Sequence, residues 1–157
     1  MPGSALQREI RQRKPFRSPT QEAVVGLLRT TDRVRRALTG VVEPRGITLQ
    51  QYNVLRILRG AGDEGLPTLE IASRMVEHAP GVTRLLDRLQ AKALVRRQRS
   101  ARDRREIRCW ITAEGLELLD GLDLAMPDAA RRFMSPLPSD ELDAFIRELD
   151  RLRAARS

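Results

Sequence analysis

Residues 69–112 read LEIASRMVEHAPGVTRLLDRLQAKALVRRQRSARDRREIRCWIT, and the succession of patterns within them decides the fold. Apolar residues first recur at helical spacing in two short runs. The pattern then changes to strand-like alternation on either side of the basic tip Ser100-Ala101-Arg102-Asp103-Arg104-Arg105. Two helices followed by a hairpin with a basic tip spell a helix-turn-helix and a wing. A helix fits the major groove of duplex DNA, and a basic loop reaches the backbone or the minor groove.

The first helix of the pair is expected from Pro67 or Thr68, carrying Leu69, Ile71, Ala72 and Met75. Ala72 is a candidate for close approach by the second helix, and Val76 stands where the turn would commonly hold glycine. The second helix is expected over about 79–91, with Val82, Leu85, Leu86 and Leu89 inward and Thr83, Arg84, Asp87 and Arg88 outward. Strands are expected over 93–99 and 106–111. The candidate DNA-contacting residues are therefore Pro80, Gly81, Thr83, Arg84 and Arg88 on the helix and Arg102, Asp103, Arg104 and Arg105 at the tip. An arginine fork reads guanine O6 and N7, and Pro80 or Thr83 suits a thymine methyl. Asp103 is expected to hold one guanidinium in a charge-assisted pair, leaving the others for a narrow minor groove. The competing reading is a solvated face on which Asp87 and Arg88 serve only surface or intramolecular pairs.

Charge supports the first reading. The 157-residue chain has a net charge of +8, and residues 78–112 alone hold ten Lys and Arg against three Asp and Glu. The following span, 113–157, is acidic, so one side of the molecule is suited to phosphate. The aromatic residues Phe16, Tyr52, Trp110, Phe133 and Phe145 are not interleaved through the basic span, which argues against base stacking on single strands or RNA.

Outside this module, 1–19 reads as a flexible basic arm. Arg8, Arg11, Arg13, Lys14 and Arg17 stand among Pro2, Pro15 and Pro19, a mixture that resists regular helix. A solvated tail and a contact to phosphates beside the main site are both open for it. A long amphipathic helix is expected from Thr20 to about Val42, closed by Pro44 and Gly46. Thr48 and Gln51 form a capping box for the next helix, which bears Tyr52, Val54, Leu55 and Leu58, before a loop over 60–65. Thr112 caps a helix carrying Leu116, Leu119, Leu122, Met126, Ala130 and Phe133, which Pro127 is expected to kink or split. Ser139, Asp140 and Glu141 open a last helix with Leu142, Phe145, Ile146, Leu149 and Leu152 on one stripe.

Enzyme readings find no support. His78 is the only histidine and no second ligand clusters with it, so neither a metal nor a cofactor is expected. The glycines form no dinucleotide or phosphate loop, and Asp120, Asp123 and Asp128 read as the solvated side of a helix. Cys109, the single cysteine, shares a strand face with Ile107 and Ile111 and reads as a small buried hydrophobe, with a redox sensor as the alternative. The absence of a disulfide framework and of an apolar run of membrane-spanning length points to a cytoplasmic protein with no membrane partner.

Several stretches together resemble the MarR family of bacterial transcriptional regulators. They are Ile47-Thr48-Leu49-Gln50-Gln51-Tyr52, Leu69-Glu70-Ile71-Ala72, Val82-Thr83-Arg84-Leu85-Leu86-Asp87-Arg88-Leu89, Lys92-Ala93-Leu94-Val95, Asp103-Arg104-Arg105 and Ile111-Thr112-Ala113-Glu114-Gly115. The resemblance implies a mainly α winged helix-turn-helix with a two-stranded β-wing and a homodimer made by its N- and C-terminal helices. The corresponding division is an arm over 1–19, dimerisation helices over 20–46 and 113–157, and a DNA-binding domain over 47–112. The resemblance also implies a pseudo-palindromic double-stranded operator, Arg105 in the minor groove, and release by a small aromatic or acidic effector. Where the family often has Ser or Thr early in the recognition helix this chain has Pro80 and Gly81, so an operator sequence does not carry over. The expected function is sequence-specific transcriptional regulation, more often repression. The alternative from another class is a winged-helix protein-interaction module without specific DNA binding.

Overall fold

A computed structural model describes residues 4–155. The chain divides into two compact units, with the boundary after Ala37.

In the first unit the basic arm is folded locally. Helix α1 (Ala5–Glu9) starts at Ser4, whose Oγ accepts the Gln7 N–H at 3.2 Å. The expectation of a helix-resistant stretch fails here because Pro15 and Pro19 lie outside a run of good helix formers, Ala-Leu-Gln-Arg-Glu. The end of α1 is a Schellman turn: the Arg11 N–H reaches the Arg8 carbonyl at 3.1 Å and the Gln12 N–H reaches the Gln7 carbonyl at 3.0 Å. Arg11 therefore adopts φ 54°, a left-handed position that costs a non-glycine residue about 1–2 kcal/mol. Helix α2 (Pro19–Val42) follows, with proline at its first position and Ser18 Oγ accepting the Gln21 N–H at 3.2 Å. Glu9 pairs with Arg29 of α2 at 3.0 Å, and Arg33 lies 3.9 Å away.

The second unit holds the remaining helices around a small sheet. A 3-10 turn at Glu43–Arg45, closed by Gly46 at φ 74°, leads to helix α3 (Leu49–Ala61), where both halves of the Thr48–Gln51 capping box are present. Strand β1 (Leu66–Pro67), helix α4 (Thr68–Arg74), helix α5 (Val82–Ala91), and strands β2 (Val95–Arg99) and β3 (Ile107–Ile111) complete the central module. The sheet is antiparallel in the order β1-β3-β2, so the two-stranded wing gains a third strand, two residues long and half proline, too short to register as an alternation. Leu66 faces Cys109, and Val95 to Arg99 run against Ile111 to Ile107. This pairing depends on Gly65 at φ 61°, where a Cβ would stand 2.5 Å from both the Cys109 carbonyl oxygen and Trp110 Nε1.

Helix α6 (Ala113–Asp120) is capped by Thr112, whose Oγ1 accepts the Gly115 N–H at 3.1 Å and donates to the Ala93 carbonyl at 2.6 Å. The break before helix α7 (Ala125–Met134) falls at 121–124 rather than at Pro127, which sits in the first turn of α7 where no donor is required of it. Interrupting the helix there shifts the inward register, so that Ala129 is buried and Ala130 exposed. Helix α8 (Ser139–Ala154) closes the described chain.

The core joins Leu55 and Leu58 of α3, Ile71 of α4, Leu86 and Leu89 of α5, Val95 of β2, Cys109 of β3, and Leu119 and Leu122 around the end of α6. Each fully buried leucine contributes about 1.5–3 kcal/mol by removal from water. That core sets α5 and the wing hairpin on one scaffold.

Candidate nucleic-acid interface

The candidate face begins with how α5 is held. Val82, Leu85, Leu86 and Leu89 are buried, as the helical period requires, and Thr83, Arg84, Asp87 and Arg88 are exposed. The helix starts three residues later than the pattern indicates, with Gly81 in the cap position and Pro80 in the turn before it. Pro80 and Gly81 thus lie in the approach to the helix, outside its first turn. Ala72 is exposed on the short α4, and Ile71 makes the buried contact instead.

The link from Met75 to Gly81 has no tight glycine turn. Met75 is extended (φ −63°, ψ 137°), and the next residue is fastened from another helix: Asn53 of α3 accepts the Val76 N–H on its Oδ1 at 2.8 Å. Such a tether explains why valine is accepted where a tight turn would call for glycine. The Val76 side chain itself is 85% exposed.

Ten cations lie between residues 78 and 112, and the structure sorts them by partner. Arg97 points inward on β2, where its guanidinium donates to Asp87 Oδ1 at 2.5 Å and to Gln90 Oε1 at 2.6 Å, clamping the wing strand to α5. Arg108 donates to the Glu64 and Gly65 carbonyls at 2.9 and 3.3 Å and pairs with Glu106 at 3.2 Å. Arg96 stacks on Trp110, with Cζ 4.1 Å from the ring centroid, and the indole N–H donates to the Asp63 carbonyl at 3.0 Å. Lys92 Nζ donates to the Gly46 carbonyl. The remaining six, Arg84, Arg88, Arg99, Arg102, Arg104 and Arg105, are exposed and have no ion pair among the described residues. Asp87 accordingly belongs to the intramolecular clamp, whereas Arg88 does not.

At the wing tip the expected Asp103–guanidinium pair is replaced by a backbone contact. Asp103 Oδ1 accepts the Arg105 N–H at 2.9 Å, and Ser100 Oγ accepts the N–H groups of Arg102 and Asp103 at 3.2 and 3.4 Å. A short carboxylate reaches the N–H two residues on without ordering a long side chain, and so wins over a guanidinium that has rotamer entropy to lose. The tip is shaped by its polar residues, and all three arginines stay available. Ser100, Asn53 and Arg97 have roles the pattern alone does not assign. Only Arg97 leaves a sequence signal, since strand alternation with buried Val95 turns a cation inward, where it requires a partner.

Cys109 is fully buried, with Sγ 3.9 Å from Thr68 Oγ1. Burial pushes its thiol pKa up, against smaller opposing effects of the Thr68 contact and Arg97. Such a thiol is a poor nucleophile and serves as a small core residue.

A comparison with known proteins places this geometry. The chain is similar to a MarR transcription factor from Planctomyces limnophilus, with 39% identity over 86% of this chain and 98% of that one, at a TM-score of 0.68. This chain belongs to the MarR family of transcriptional regulators. The pattern that defines the MarR family matches residues 45–106, the span from the turn before α3 to the wing tip. The HTH-type transcriptional repressor MdtR of Bacillus subtilis (strain 168) is 35% identical over 105 residues, 64% of this chain and 64% of that protein. The fold is also that of BpsR from Bordetella bronchiseptica, at 19% identity and a TM-score of 0.75 over 84% of this chain and 98% of that one; that structure concerns regulation of BpsR DNA binding by 6-hydroxynicotinic acid. The chain is accordingly a mainly helical winged-helix regulator of the MarR family, with the β2–β3 hairpin as its wing.

Proposed function

We propose that this MarR-family regulator is a homodimeric repressor that binds a pseudo-palindromic duplex operator and is released by a small aromatic or acidic effector. The observation that carries DNA binding is the sorting of the basic span. Four of its ten cations hold the module together, and the other six project from the outer face of α5, the end of β2 and the wing tip with no ion pair among the described residues. In this reading Arg84 and Arg88 face base edges in the major groove, Thr83 and Pro80 contact backbone or a thymine methyl, and Arg102, Arg104 and Arg105 serve the flanking minor groove and phosphates. The N-terminus of α5 at Gly81 carries no side-chain cap, which leaves its first N–H groups for a phosphate. Asp103 is a positioning residue that holds the Arg105 backbone.

Residues 47–112 would then form the DNA-binding domain, with 20–46 and 113–157 supplying the dimer contacts. The apolar side chains that α2 and α8 leave exposed support this division: Val24, Leu27 and Leu28 on α2, Ile146 and Leu152 on α8. Repression is supported by likeness to MdtR, and an aromatic acid effector by likeness to BpsR.

The test is a salt titration of binding to an operator selected from a random duplex library. The expected result is a preference of at least about 10³-fold over random duplex and a steep decline of log K with log salt. Arg105→Ala should weaken binding and flatten preference for A·T pairs at the flanks. Arg84→Ala or Arg88→Ala should relax discrimination at one base pair by about 1–3 kcal/mol. Equal, weak binding to both duplexes would overturn the reading in favour of a protein-interaction module.

A further inference from the structure

The cations of the N-terminal hook, Arg11, Arg13, Lys14 and Arg17, have no part in the interface described above. We propose that this hook is a second phosphate-binding surface, which takes the backbone of duplex DNA and reads no base pair. It rests on DNA binding by the winged module.

Four observations carry it. All four side chains are exposed and have no ion pair among the described residues. The one acidic residue of the segment, Glu9, is held by Arg29 and Arg33 and pairs with none of the four. The backbone that presents them is ordered by contacts of its own: the Schellman turn, Gln7 Nε2 donating to the Gln12 carbonyl at 3.1 Å, Gln12 Nε2 donating to the Lys14 carbonyl at 2.7 Å, and the Arg17 N–H donating to Gln21 Oε1 at 2.8 Å. Cations offered from a held chain lose little entropy on binding. Finally, the left-handed position at φ 54° is filled by Arg11, where glycine would sit without strain. Strain retained under a cation points to a use for the cation.

The partner fits the same features. Closely spaced charges with no polar base-reading set suit a phosphate backbone, which positions without specifying, and basic arms of other helix-turn-helix domains reach the groove beside their recognition helix. A lipid surface fits less well, because Leu6, Ile10 and Phe16 are partly buried and leave no apolar face to insert.

Two variants test the proposal: Arg11→Gly, which keeps the turn and removes the strain with the charge, and the same change combined with Arg13→Ser, Lys14→Ser and Arg17→Ser. Binding is measured against salt on the selected operator with about ten flanking base pairs on each side, and again on the operator trimmed to its core. The expected result is a log–log slope shallower by about 0.9 for each phosphate contact removed on the long duplex. Discrimination against a mutated operator should be unaltered on both duplexes. Arg11→Gly should unfold at no lower temperature than the natural protein. Identical slopes for the natural and combined-variant proteins on the long duplex overturn the proposal. So does a variant that loses only binding to vesicles of anionic phospholipid. Failure of the winged-module reading is seen separately, as loss of operator preference in the unaltered protein.

Discussion

Helices α5 and α8 are both amphipathic, yet they meet their apolar obligations in opposite ways. In ten residues α5 buries Val82, Leu85, Leu86 and Leu89, while α8 has sixteen residues and buries none. A helix whose apolar face is satisfied within its own chain offers its polar face to the outside, which here means Arg84 and Arg88. A helix whose stripe of Leu142, Phe145, Ile146, Leu149 and Leu152 stays partly or largely exposed offers that stripe. In the proposed reading the same periodicity supplies a recognition surface in one place and an assembly surface in the other. Telling them apart requires the neighbours.

The largest effect is expected where that contrast is broken at α8. Ile146 and Leu152 are 47% and 64% exposed, so Ile146→Asp with Leu152→Asp should leave the fold of the winged module intact by circular dichroism. In the dimeric reading it should yield a monomer by sedimentation and weaken operator binding by about 10²-fold or more, because two half-sites are no longer engaged together. A dimer that survives both charges would move the assembly surface elsewhere. The converse change at α5 is Leu86→Ala, which empties a fully buried site. It should destabilise the protein by about 2–5 kcal/mol in urea unfolding while leaving assembly of the folded fraction unchanged.

How much of this contrast was legible follows from the range of the interactions involved. The inward set of α5, the Thr48–Gln51 capping box and the hairpin around Ser100–Arg105 are set by neighbours within a few residues, and periodicity exposes them. The folded arm was hidden because prolines at its ends obscured five helix formers between them. The third strand was hidden because its two residues pair only with a segment some forty positions away. At the interface, which faces of α5 and the tip are exposed could be read. The partners of Asp87, Asp103 and Val76 could not, since Arg97, a backbone N–H and Asn53 compete with nearer groups only once the chain has folded.

The Asn53 contact tests whether α5 depends on its approach as well as its core. Asn53→Ala removes the acceptor for the Val76 N–H, and one such hydrogen bond contributes about 0.5–1.5 kcal/mol. Discrimination between the operator and a single-base variant beneath the start of α5 should fall about 2- to 10-fold, with a smaller effect on overall affinity. Asn53→Asp keeps an acceptor at the same place and should restore discrimination even where its charge lowers affinity. Equal loss in both variants would make Asn53 a general stability residue and not a positioning one.

The smallest effect is expected at the turn after α6, which lies between the two helices in sequence and is gripped by Arg59 of α3. Its guanidinium forks onto Asp123, with Nη1 to Oδ2 at 3.0 Å and Nη2 to Oδ1 at 2.9 Å, and Asp120 lies 3.7 Å away. Asp123 is exposed, as its helical pattern suggests, but it is also paired. The hydrogen bonds from Arg59 hold its pKa below the ordinary carboxylate value, with burial opposing weakly. A carboxyl depressed in the folded state stabilises the fold at pH values above its unfolded pKa, about 3.9, and that contribution is lost as pH falls through the lower folded value. Arg59→Gln should accordingly lower the unfolding temperature slightly at pH 7, and the gap from the natural protein should close on acidification below pH ~4. Asp123 is half exposed, so raising salt at pH 7 should shrink the same gap. A gap that persists unchanged in acid and in salt would mean that Arg59 acts by packing its methylenes against the turn and not by charge.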